Sequence, residues 1–202
     1  MQRTGIADRA LVDVAWPATG WLKECVLLAG GVGLLALSAQ LQLRLPFSLV
    51  PVTGQTLVVL LLAAALGSRR GVAAVIGYLI VGLLGAPVFA GAAVGPARLI
   101  GATGGYLIGF VVAAGVVGWL SEHGWARRAD TTAAGMVIGN LCIYALGALW
   151  LSRFVGGEAA IRTGIVPFLP GDLLKVAMAV LMLPAAWKWA GRPHLPIDPN
   201  RR

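Results

Sequence analysis

Long apolar stretches separated by short charged breaks organise this chain. They cover residues 21–43, 55–66, 72–89, 102–120, 132–151 and 172–189. A helix that crosses a bilayer needs about 20 mostly apolar residues, so the pattern predicts an all-α integral membrane protein with six transmembrane helices. The breaks are GSRRG at 67–71, SEHGWARRAD at 121–130 and the tail from Lys188 onward. The second stretch is short, and LPFSLVPVTGQT before it carries Pro46 and Pro51. Proline lacks an N–H and clashes inside a helix, so an irregular or re-entrant piece is expected there. The resulting organisation is a short leader over 1–20, a membrane domain over 21–189 and a tail over 190–202. No room is left for a separate soluble domain. The leader, MQRTGIADRALVDVAWPATG, has no long apolar core, which argues against a cleavable signal peptide and for a partly amphipathic cytoplasmic segment.

Composition agrees with the pattern: 58% of residues are hydrophobic, 12% are charged and the mean hydropathy is +0.85. The bilayer is the main solvent. A formal net charge of +8 would suit a nucleic-acid binder, but the cations stand at span ends and not in one patch, so no nucleic-acid partner is expected. Their distribution sets the orientation instead. Of the sixteen basic residues, eleven fall in or beside the leader, the 67–71 turn, the 121–131 loop and the tail, against Arg44, Arg98, Arg153 and Arg162 on the other side. Cytoplasmic connections carry the excess of Lys and Arg, which puts both termini in the cytoplasm. The outward connections, 44–54, 90–101 and 152–171, are then the long ones. Six of the eleven prolines lie in or beside them. Long structured outer loops point to an outer binding surface, although loops that merely close the bundle would look the same.

Ionisable residues at bilayer depth are costly, at about 2.5–3.5 kcal/mol on insertion scales. Two stand out, Asp172 and Lys175, in FLPGDLLKVAMAVLML. At i and i+3 they share a helical face. A carboxylate acceptor beside an ammonium donor suits a small polar ligand with N–H and C=O groups. The bland alternative is that Asp172 caps the helix while Lys175 snorkels outward. Uncharged polar residues fall at matching depth: Asn140 and Tyr144 on the fifth stretch, Tyr106 on the fourth, Gln55 on the second and Tyr78 on the third. Arg98 is the cation best placed to meet an anionic ligand end. Small-xxx-small spacings, which let helix backbones approach closely in lipid, occur at Gly105/Gly109, Gly135/Gly139 and Ala29/Gly33. There is no Walker A sequence, and His123 and His194 lie in a loop and the tail, so neither ATP hydrolysis nor intramembrane proteolysis is expected. Cys25 and Cys142 lack metal-ligand spacing and read as structural.

Several segments in order, LPFSLVPVTGQT, GAPVFAG, ATGGYLIGF, GNLCIYALGALWL and PFLPGDLLK, resemble the BioY family, the biotin-specific S components of energy-coupling factor (ECF) importers. The resemblance spans roughly residues 25–185. It implies a six-helix S component in the bacterial cytoplasmic membrane, with a vitamin site near the outer face and the 44–54 connection as its lid. It also implies that Asp172 and Lys175 bind the ureido group of biotin, that ATGGY brings Tyr106 to the pocket and that Phe89 packs on the ring system. Arg98 is the candidate for the valeryl carboxylate. The implied partners are a transmembrane T component and a pair of ATPase subunits, with no cofactor beyond biotin as the transported ligand. Ala29 and Gly33 resemble the Ala-x-x-x-Ala contact used to dock on the T component, and internal packing explains them equally well. A stand-alone proton-coupled secondary transporter, with Asp172 and Lys175 as the coupling pair, is the competing reading.

Overall fold

The computed structural model describes residues 10–191. The leader cations Arg3 and Arg9, and the tail with His194, Arg192, Arg201 and Arg202, lie outside the described residues. The fold is helical. A short α1 (Leu11–Ala15) precedes α2 (Trp21–Gln40), which gives way to a two-stranded antiparallel hairpin of β1 (Gln42–Leu43) and β2 (Val52–Thr53). Then come α3 (Gln55–Leu66), α4 (Ser68–Leu83), the single turn α5 (Ala97–Ile100) and α6 (Gly104–Glu122). Next follow α7 (Ala129–Val155), α8 (Gly157–Gly164) and α9 (Leu169–Ala190), the last of the described elements.

Three of these helices, α2, α6 and α7, are long and apolar enough to cross a membrane, as is the helical run Gly157–Ala190 that contains α9. The apolar helix α3 has 12 residues, about 18 Å at 1.5 Å per residue, well short of a bilayer core of about 30 Å. The hairpin before it holds Pro46 and Pro51 outside any helix. The third apolar stretch begins earlier than its hydropathy suggests, at Ser68, and stops at Leu83, before Gly85 (φ +100°) and Pro87. Between α3 and α4 the chain turns on one residue, Gly67, at φ +82°. A side chain there would be strained and would also strike the Glu122 carboxylate, which accepts the Ser68 N–H at 2.8 Å.

Helix α6 is the centre of the bundle, packed against α3, α4 and α7. Its glycines make this possible. A Cβ on Gly109 would lie 2.9 Å from the Ile143 Cα, and one on Gly105 would collide with the Trp150 side chain. Backbone contact at this range replaces the hydrophobic driving force that lipid does not supply. Gly139 packs as closely, on Leu60 and Val117, whereas Gly135 meets its neighbours at ordinary distance. The Ala29/Gly33 pair behaves differently: Ala29 is exposed, and a Cβ on Gly33 would meet nothing within 4 Å. Among the described residues nothing fills the place a side chain on Gly33 would take.

At the α3–α4 turn, Arg70 grips both carboxylate oxygens of Asp13 (2.9 and 2.8 Å) and both of Glu24 (2.8 and 2.7 Å). Lys23, 6% exposed, donates to Asp13 and to the Trp16 carbonyl, each at 2.8 Å. Partial burial pushes the Asp13 carboxyl up, but the hydrogen bonds and charges of Arg70 and Lys23 outweigh it and hold the group below its ordinary value. The network ties α1 to α2 and α4.

Candidate ligand-binding site

A cavity opens at the other end of α3, among α3, α4, α6 and α7. It encloses about 580 Å³ of free space including its open mouth. The hairpin roofs it through Val50 and Pro51, with Val50 almost fully buried. The roof is pinned: the Ser48 hydroxyl donates to the Thr163 carbonyl beside it (2.7 Å) and the Gly54 N–H donates to the Leu41 carbonyl (3.0 Å). A second roof segment, 89–93, hangs from Gln40, whose amide donates to the Phe89 carbonyl (3.2 Å) and accepts the Ala92 N–H (3.0 Å).

Six aromatic side chains stand in the walls. Tyr106 and Phe168 stack with centroids 6.3 Å apart, Tyr144 tilts against Phe168 at 6.3 Å, and Tyr78 meets Phe89 edge-on at 5.5 Å. The Tyr106 hydroxyl is spent on the Gly164 carbonyl (2.8 Å), so this residue offers its ring to the cavity. Gln55 donates to the Tyr78 hydroxyl (2.8 Å), which donates in turn to the Val88 carbonyl (3.3 Å). Arg98, half-buried at the rim, donates to the Ala90 carbonyl (3.0 Å).

Behind one wall lies the charged pair. Asp172 is 5% exposed and Lys175 bonds its Oδ1 at 3.0 Å. The Lys175 ammonium also donates to Thr56 Oγ1 (2.7 Å) and the Thr53 carbonyl (3.0 Å). Thr56 donates to Asp172 Oδ1 at 3.4 Å, and the Tyr144 hydroxyl donates to Asp172 Oδ2. The carboxylate makes no capping bond at the start of α9, and the ammonium turns inward instead of snorkelling. Neither side chain lines the cavity. Thr53, Thr56 and Tyr144 do, so the pair reaches it through one intervening hydroxyl or carbonyl.

The structure therefore brings Gln55, Tyr78, Phe89, Arg98, Tyr106 and Tyr144 to one cavity and sets Asp172 and Lys175 behind it. Asn140 is separated from this group. One helical turn along α7 from Tyr144, it faces a smaller void with Thr56, Leu60, Met136 and Lys175, and its buried Oδ1 has no partner. The period of α7 aligned Asn140 with Tyr144, but the helix rotation sends them to different spaces. Thr53 and Thr56 are not among the residues the sequence pattern singles out, although both lie in PVTGQT, where two hydroxyls in an apolar run are the available signal. Phe110, Ile143 and Phe168 also line the cavity, and nothing distinguishes them from other apolar residues in the sequence. Among the described residues no three His, Cys, Asp or Glu side chains converge on a metal-sized point.

Comparison with known proteins fits this geometry. The probable biotin transporter BioY of Pyrococcus horikoshii is 37% identical over 79% of this chain and 93% of its own length. The biotin transporter BioY of Thermotoga maritima is 40% identical over 69% of this chain and 82% of its own. Among solved structures, the S component for biotin of an ECF-type ABC transporter superposes with a TM-score of 0.72 at 22% identity, covering 85% of this chain and 95% of that one, and so shares its fold. The BioY family model matches residues 8–192. With a match over nearly its whole length, the chain belongs to the BioY family.

Proposed function

We propose that this chain is the high-affinity biotin-binding S component of an ECF-type importer, which takes up biotin across the bacterial cytoplasmic membrane. The observation that carries the reading is the Asp172–Lys175–Thr56–Tyr144 network, standing directly behind the wall of a roofed aromatic cavity in a chain of the BioY family. The ureido group of biotin has two N–H donors and one carbonyl. Thr56, Tyr144 and, behind them, Asp172 supply acceptors, and Lys175 supplies a donor. A ligand that enters exchanges protein hydrogen bonds for its own, so the buried charges stay satisfied throughout. The exchange leaves little net gain for a ligand that lacks either group, which is a source of selectivity. The bicyclic ring packs between Tyr78/Phe89 and Tyr106/Phe168, and the pinned hairpin acts as the lid.

Six spans follow if α3 with its hairpin, α4 and the four longer apolar segments each count as one. The cation asymmetry then sets both termini in the cytoplasm and the cavity mouth outside. No catalytic step belongs to this chain; energy comes from a T component and two ATPase subunits. The exposed Ala29/Gly33 face on α2 is the docking surface for the T component. Isothermal titration of the detergent-solubilised protein should give saturable one-to-one biotin binding, and its absence would overturn the reading. Uptake in sealed vesicles with the coupling module present, but not with a proton gradient alone, separates the S component from a stand-alone transporter.

A further inference from the structure

A second chamber adjoins the mouth of the cavity and has no part in the ureido network. It is lined by Gln42, Arg44, Leu45, Ser48, Leu49, Pro51 and Arg98, and it shares Pro51 and Arg98 with the inner cavity. The two spaces are therefore neighbours along one path. Two guanidinium groups face this chamber and no carboxylate does.

The acids among the described residues are engaged elsewhere. Asp13 and Glu24 are held by Arg70, Asp130 pairs with Arg128, Glu158 pairs with Arg162, and Glu122 accepts from Ser68. Asp172 is bonded behind the wall. Among the described residues no carboxylate cancels the positive charge at the mouth. Among the described residues Arg44 has no hydrogen-bond or ion-pair partner, although the chain shapes a place for it. Gly91, at φ +74°, lies beneath the guanidinium: a Cβ there would collide with Arg44 Nη2 and come within 2.9 Å of Gln42 Nε2. An unpaired cation, an amide NH2 beside it that can donate to the same anion and a glycine that keeps both in position amount to an unfilled anion site. Leu45, Leu49 and Pro51 supply an apolar wall beside it.

We propose that Arg44, supported by Gln42 and seated over Gly91, is a carboxylate-recognition site at the cavity mouth. It takes the acid end of a ligand whose ring lies in the inner cavity and whose alkyl chain runs past Pro51. The inference rests on the biotin reading and adds to it. The valeryl carboxylate is received by the hairpin itself, so ligand charge helps to hold the roof closed. A guanidinium fork matches a carboxylate in two parallel hydrogen bonds, and an exposed cation at the mouth also speeds encounter with anions.

The test compares biotin with its carboxamide, which keeps ring and chain but ends in a neutral group, on purified protein by titration and stopped-flow fluorescence. Wild type should prefer the acid. Arg44→Gln should weaken biotin by about five- to thirty-fold, a charged hydrogen bond discounted for solvent screening, and leave the carboxamide unchanged. Arg44→Lys should recover part of the preference, and Gly91→Ala, by displacing the guanidinium, should lose it. Added salt should slow biotin association in wild type more than in Arg44→Gln. Arg44 is exposed, so the two Arg44 variants should keep the wild-type melting temperature. Unchanged biotin affinity in Arg44→Gln, or an equal loss for acid and carboxamide, overturns this site and leaves biotin binding intact. Failure of wild type to bind either compound overturns the biotin reading and this site with it.

Discussion

Tyr144 on α7 donates its hydroxyl hydrogen to Oδ2 of Asp172 on α9, while Lys175 holds the other carboxylate oxygen. Tyr144 also lines the cavity. The cavity wall and the buried charge are therefore one bonded unit, and a change on either side should be felt by a ligand.

Asp172→Asn and Lys175→Met each remove one charge from this unit. A hydrogen bond to a charged group is worth about 1.5–3 kcal/mol, so each variant should weaken biotin by about ten- to over a hundred-fold. Because the two side chains bond each other, the double variant should fall well short of the summed losses. Titration of the three proteins, with size exclusion as the folding check, measures this. Wild-type affinity in both single variants would exclude the pair from ligand binding.

Tyr144→Phe keeps the ring beside Phe168 and deletes only the donor to Asp172. It should lower thermal stability, since a buried carboxylate loses a bond worth about 1.5–3 kcal/mol, and weaken biotin at the same time. A variant that loses stability but binds biotin normally would show that the hydroxyl serves the fold alone.

Replacement of both Ala29 and Gly33 by Trp should abolish ATP-driven uptake and leave biotin affinity near wild type. Ala29 is exposed, and a Cβ on Gly33 would meet nothing within 4 Å. Parallel loss of binding and transport would mean that this face is needed for folding.

The Asp13 carboxyl, held below its ordinary value near 3.8 by Arg70 and Lys23, gives a pH signature. A depressed carboxylate contributes stability that is complete above its unfolded value and is lost as pH falls through the folded value. Asp13→Asn should therefore melt lower than wild type at pH 6, and the gap should close as the pH drops below about 4. Thermal scans of both proteins between pH 6 and pH 3 check this. A gap that stays constant down to pH 3 would assign the loss to shape instead of charge.

The helical membrane fold was legible from the chain alone because lipid leaves the backbone no other way to satisfy its hydrogen bonds. Apolar runs therefore mark helices directly, and α3 occupies the stretch read from hydropathy at 55–66. Asp172 and Lys175 were legible for a related reason: a charge at that depth is too costly to stand without a purpose. The tertiary structure alone decided their partners. Thr56 is 116 positions from Asp172 and Tyr144 is 28. Whether such groups meet depends on how far each helix is rotated about its axis when α6 glycines let the backbones close. The same rotation sends Asn140 to a separate void and leaves Ala29 exposed. It is invisible in the sequence because an apolar helix surrounded by lipid is hydrophobic on every side, so no stripe records which side faces the ligand.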